Sequence, residues 1–271
     1  MKTNILCWLC LTFHILLFAQ SSVVLSSLNT PGVNSYSNTN ADVFSIEHNQ
    51  AELATVTKFS IGVNGERRFL LNDLSNYVVN AALPLKEGAF GTIINRSGND
   101  GYSQSLFALS YGRKMNEWVN IGVQFNYYLI NRIYFGNASS INADISLLGH
   151  ITDQIYAGFQ LHNVMPSAIN KNDQRIPFQL SGGLGYDVSK ELFLGIMIHK
   201  IETVAIDWIP EIDYTINNIL SARLGIQFSN SIYYGAVDII LGNYKLEITS
   251  SVHPYLGITP GLGIIYNPEL H

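Results

Sequence analysis

The chain has 271 residues, of which 13% are charged and 47% apolar, with 15 tyrosines and a formal charge of −5. That charge content is well below the roughly 25% usual in water-soluble domains, and the negative balance argues against a nucleic-acid partner. Both cysteines, Cys7 and Cys10, lie in the first ten residues, so beyond them there is neither a disulfide nor thiol chemistry.

The chain opens on a targeting pattern. Lys2 gives a basic start, Ile5 to Phe18 is apolar apart from Thr12 and His14, and Ala19-Gln20 offers a cleavage point. This is the order of a secretory signal peptide, spanning 1–19. The run is shorter than the roughly 20 residues a membrane helix needs. Residues 20–56 follow as a polar lead and plug segment. Ser21 to Asn40 is rich in Ser, Asn and Thr, and within Ala41 to Leu53 the residues Val43, Ile46, Gln50 and Leu53 recur at helical spacing behind Asp42. A short plug helix packed in or under a lumen is the expectation.

From Thr57 to the end the chain reads as a train of alternating stretches of strand length. Val119, Ile121, Val123, Phe125, Tyr127 and Leu129 share one face, opposite Asn120, Gly122, Gln124 and Asn126. Leu220, Ala222, Leu224, Ile226 and Phe228 alternate with Ser221, Arg223, Gly225 and Gln227. Period two, with apolar side chains against glycines and amides, suits a strand with lipid on one side and a polar lumen on the other. About fourteen segments are expected: 57–69, 75–84, 87–97, 102–113, 117–133, 138–151, 154–164, 177–188, 191–202, 205–216, 219–228, 232–242, 243–252 and 258–267. The fold class is therefore all-β, a transmembrane antiparallel β-barrel over 57–271. With the signal, this places the chain in the outer membrane of a Gram-negative bacterium, its outer wall against membrane lipid and lipopolysaccharide.

Connections alternate in length. Leu85-Lys86, Lys114-Met115-Asn116, Thr152-Asp153, Ser189-Lys190, Asn217-Asn218 and Gly242-Asn243 form one set of tight turns, made of turn-forming residues. The opposite set includes Met165 to Ile176. Short turns on the periplasmic side and longer outer loops are the usual arrangement. Aromatic residues near segment ends, such as Tyr127, Tyr128, Tyr233 and Tyr234, read either as interfacial girdles or as ordinary strand formers.

Alternation sends Asp144, Asp207, Glu211, Asp213, Arg223, Asp238, Lys245 and Glu247 into the lumen. Mixed signs on neighbouring strands read first as a structural salt-bridge network, since buried charge must be paired, and second as a solute path. No metal or cofactor site is expected. His150 and His162 flank one turn at very different depths, and solitary, satisfied histidines are the reading. No G-x-S-x-G elbow occurs, Gly257, Gly261 and Gly263 lack the lysine and helix of a phosphate loop, and the chain is not read as an enzyme.

The block from Asp42 through Phe44, Asn49, Gln50 and Leu53 to Ala54 resembles the segment before the first strand in FadL-like outer-membrane barrels. Within that group it is similar to the PorV and PorQ branch of Bacteroidetes, associated with type IX secretion. Ala82-Leu83-Pro84 with Gly88, Phe90 and Gly91, and the fourteen-strand count, carry the same resemblance. Asn49-Gln50 stands where the family has Asn-Pro, and Glu52 where it has Gly. The resemblance implies a barrel plugged by its own amino-terminal segment. It also implies one of two roles: passage of a small hydrophobic ligand, or an accessory role beside secretion-machinery proteins. A structural or adhesive barrel using loop 165–176 is the alternative from the residues, with a lipid-modifying enzyme behind it.

Overall fold

The computed structural model describes residues 27, 29–134, 136–165, 176–202 and 204–268. The signal segment lies outside them, as does most of the 165–176 loop. Fourteen antiparallel strands close into one barrel. They are β1 Ser60–Arg67, β2 Ser75–Leu85, β3 Gly88–Gly98, β4 Tyr102–Lys114, β5 Val119–Arg132, β6 Ala138–His150 and β7 Ile155–His162. The circuit continues with β8 Gln179–Asp187, β9 Leu192–Ile201, β10 Asp207–Asn217, β11 Leu220–Gln227, β12 Ile232–Leu241, β13 Tyr244–His253 and β14 Gly257–Tyr266. Each strand pairs with its sequence neighbours, and β1 closes on β14 from Ile61↔Tyr266 to Glu66↔Gly261. Closure leaves no free edge, which a sheet in hydrocarbon requires.

The two faces follow the alternation. On β5, Val123, Phe125 and Tyr127 are exposed outward, while Asn120, Gln124 and Asn126 are buried inside. The outer wall continues through Val63, Leu109, Leu147, Leu194, Ile212, Leu224, Ile248 and Leu262, all exposed. Each such side chain gains ~1.5–3 kcal/mol on leaving water, so the wall is built to meet lipid. An eleven-residue strand such as β2 rises about 36 Å; tilted by about 40°, it covers the ~25 Å apolar band of such barrels. The inner face is the buried one, polar and packed against the amino-terminal segment.

The connections fall on two rims. The short-turn rim carries 86–87, 115–118, 151–154, 188–191, 218–219 and 242–243, together with the start of β1 and the end of β14. The long-loop rim carries 68–74, 163–178 and 202–206 among others.

The plug segment is inside the lumen, and it differs from the expected helix. It forms three separate 3-10 turns, Val33–Tyr36, Val43–Glu47 and Gln50–Thr55. Val43, Ile46, Gln50 and Leu53 are all buried, as their spacing predicts. The helix is interrupted at Asn49, whose backbone is extended (φ −158°) and whose side chain accepts from the Ala51 amide. Asp42 caps the preceding turn by accepting from the Phe44 amide, and Ser45 Oγ in turn accepts from the Asp42 amide. Two residues that cap their own short turns stop one helix from running through.

Candidate functional site

The plug is seated by glycines in the wall. A Cβ at Gly158 or Gly183 would lie 2.2 Å from the Tyr36 ring, and one at Gly185 would lie 1.8 Å from the Tyr36 carbonyl oxygen. Further round the wall, on β4 and β5, Gly112 and Gly122 give similar clearance to the backbone of Gln50 and Ala51, at 2.4 Å. Phe44 fills the space left by Gly62, and Leu53 that left by Gly91. These glycines belong to inward-facing strand positions, and their lack of a side chain lets backbone approach backbone.

Polar contacts then fix the plug. Asn49 Nδ2 donates to the Leu147 carbonyl (3.3 Å), Gln160 Nε2 to Gln50 Oε1 (3.1 Å), and the Ala51 amide to Ser146 Oγ (2.9 Å). Ser37 Oγ and the Asn38 amide both donate to Asp187. Lys245 Nζ meets Asp42 Oδ2 at 2.5 Å across 203 residues of sequence. Its ammonium holds the Asp42 carboxyl below the usual carboxylate range against the opposing effect of burial.

The expected lumen residues divide into two groups. Six form one network. Arg223 lies within 3.3 Å of Asp213, 3.8 Å of Glu211 and Asp238 and 3.7 Å of Glu247, and Lys245 lies 3.5 Å from Asp238. Tyr234 Oη donates to Glu211 Oε2 (2.9 Å). Thus Tyr234 points inward, whereas Tyr233 beside it is exposed on the outer wall, so the pair is not a girdle pair. Asp144 and Asp207 stand apart. Asp144 accepts from Asn126 Nδ2 (2.7 Å), Gln124 Nε2 (3.1 Å) and the Asn163 amide (2.8 Å), and lies 3.3 Å from His162 Nδ1. Asp207 accepts from the Ser229 amide (2.8 Å).

Those two carboxylates face a cavity of about 280 Å³ between the plug and the long-loop rim. Pro31, Glu47 and His48 of the plug form its floor, and Val204, Ala205, Ser229 and Asn230 line its loop end. Ile93, Leu106, Met197 and Ile209 supply an apolar part of the wall.

The cavity also corrects the histidine reading. His48, His162 and His199 come from the plug, β7 and β9, yet all three line this one space. Among the described residues two histidines stand apart from it: His150, against Tyr156 near the short-turn rim, and His253, against Phe69 and Tyr255 near the other. Among the described residues no group of three ligating side chains is close enough to hold a metal ion. Burial and the two neighbouring imidazoles push the His48 ring down to about 3, and burial pushes Glu47, hydrogen-bonded to Asn80, up to about 7. The convergence could not be read from spacing, because β8, a disconnected plug and a long loop separate the three in sequence.

No family model matches the chain, and no curated protein matches it. Solved structures do. The chain is similar to the CymD monoaromatic hydrocarbon channel (TM-score 0.63, 8% identity, 84% of this chain and 93% of that one). It is similar to the Ralstonia pickettii toluene transporter TbuX (TM-score 0.60, 10% identity, 86% and 96%). It is likewise similar to a Pseudomonas aeruginosa FadL homologue (TM-score 0.59, 11% identity, 88% and 96%). The fold is the FadL-type barrel. At these identities the likeness concerns the fold alone.

Proposed function

We propose that the chain is an outer-membrane uptake barrel, exported by its cleaved signal, that admits a small, at least partly apolar solute and performs no catalysis. The long-loop rim then faces outward among lipopolysaccharide and the short-turn rim faces the periplasm, the usual orientation. The observation that carries the reading is the cavity above the plug, open to side chains of the long-loop rim and walled partly by Ile93, Leu106, Met197 and Ile209. A concave, partly apolar pocket with a few converging polar groups is what a small ligand needs. The names of the similar structures, two hydrocarbon carriers and a FadL homologue, support this direction.

A second reading rests on a different observation. Below the cavity the lumen is filled by a plug locked to both walls, through Tyr36 in its glycine cradle and Asp42 on Lys245. A barrel sealed in that way suits an accessory role beside secretion machinery, as the likeness of the 42–54 block to PorV and PorQ suggests. Pull-down of the full-length protein from native membranes, with lipid and small-molecule analysis of the eluate, separates the two. A small apolar compound retained by the wild type and lost in Met197→Trp is the expected result. An empty lumen with a co-purifying secretion component would replace uptake with the accessory role.

A further inference from the structure

The charge on the cavity walls restricts what can enter. Asp144, Asp207 and Glu47 line it, and no lysine or arginine is among its described lining residues. Lys200, at the nearby rim, gives its ammonium to the Val204 carbonyl. A ligand carboxylate would therefore meet fixed carboxylates with no lysine or arginine among the described lining residues to pair with. At an effective dielectric of about 20, one unpaired like charge about 6 Å away lowers affinity roughly a hundredfold.

An ammonium is attracted by the same charges but finds their lone pairs already taken. Asp144 already holds three nitrogen donors besides His162, Asp207 holds the Ser229 amide, and Glu47 holds Asn80. A cation would have to give up its water without reaching a free carboxylate lone pair, and that loss outweighs its Coulomb attraction to the site. What it does offer are groups that can both donate and accept: His48, the His199–Gln179 pair (3.1 Å), and the Ser181 hydroxyl. Neutral imidazole, amide and hydroxyl groups each have this double capacity. They share the cavity with the buried apolar side chains of Ile93, Met197 and Ile209.

We infer that the cavity selects uncharged amphipathic molecules, with an apolar body and a hydroxyl-type head group, and rejects the corresponding carboxylates. The inference rests on the uptake reading for its biological meaning, but it concerns binding and can be tested separately.

The test is equilibrium dialysis of the full-length barrel in lipid nanodiscs against 1-hexanol, hexanoate and hexylamine at pH 7.5. Met197→Trp and Ser181→Trp, which fill the cavity from two neighbouring strands, serve as blanks for partition into lipid. Retention of hexanol above both blanks, with hexanoate at least tenfold weaker, is the expected result. Hexanoate equal to or tighter than hexanol overturns the inference, as does hexylamine binding tightest or none of the three exceeding the blanks. If hexanol is retained selectively but native-membrane eluates hold no small compound, the site stands and the uptake reading falls. If eluates hold a compound but dialysis shows no preference, the reverse follows.

Discussion

Two adjacent plug residues, Glu47 and His48, have opposite responses to acid. Docking raises the Glu47 carboxyl to about 7, through burial and the neighbouring Glu66 and Asp42, while Asn80 opposes the shift. A group whose value rises on docking stabilises the docked form when protonated, so its contribution fades as pH climbs from about 4.5 to about 7. Docking lowers the His48 ring to about 3, through burial and the facing His162 and His199, with Asp42 opposing. Its contribution is complete above about 6.5 and fades as pH falls toward 3. Between about 4.5 and 6.5 the two slopes oppose each other, and the plug stays equally well seated. Glu47→Gln should uncover the histidine slope, with plug opening rising by up to about tenfold per pH unit on acidification. His48→Gln should uncover the carboxyl slope, with opening rising on alkalinisation. Hydrogen exchange at the Ala51 amide, held by Ser146, reads the opening. Profiles of both variants parallel to the wild type would remove these residues from control of the plug.

At the scale of elements, the plug and the wall were unequally legible in the sequence. All fourteen strands lie within three residues of the boundaries expected from alternation, because each lipid-facing residue alternates with a lumen-facing one along a strand. The eight expected lumen residues are buried inside for the same reason. Alternation gives only the face, however, and depth comes from register around the closed sheet. That is why Asp144 and Asp207 parted from the other six, and why three histidines met unforeseen. The plug conformation was not legible either, since its turns are held by wall residues such as Ser146, Asp187 and Lys245. Wall glycines are the missed signal: Gly158, Gly183 and Gly185 sit on neighbouring strands and leave a slot for Tyr36. Gly183→Val should expel that ring. The ladder of β8 needs no side chain there, so the barrel should assemble normally while its 29–55 segment becomes several-fold more sensitive to limited proteolysis. Unchanged protease resistance in an assembled barrel would mean that the ring is not what anchors the plug.

The molecule as a whole explains why a plug exists. Eight strands enclose a lumen that side chains alone can fill, whereas sixteen to eighteen leave a water-filled channel. Fourteen strands fall between, too wide for side chains to seal. Here the sealing mass is the 29–55 segment, and the wall beneath it keeps its own closed ladder from β1 to β14. Deleting 29–55 should therefore leave a folded barrel that conducts, where the intact chain stays closed in a planar bilayer. The sign of the current follows from the network left behind. Glu211, Asp213, Asp238 and Glu247 outnumber Arg223 and Lys245, and without Asp42 over it Lys245 turns further toward Asp238. A lumen lined by excess carboxylates concentrates cations, so a salt gradient across the bilayer should give a reversal potential on the cation-selective side. Arg223→Gln in the same deletion removes one of the two cations and should shift that potential further the same way. A folded deletion variant that stays silent would show that the wall collapses to close its own lumen. An anion-selective current would show that these carboxylates do not govern the ion path.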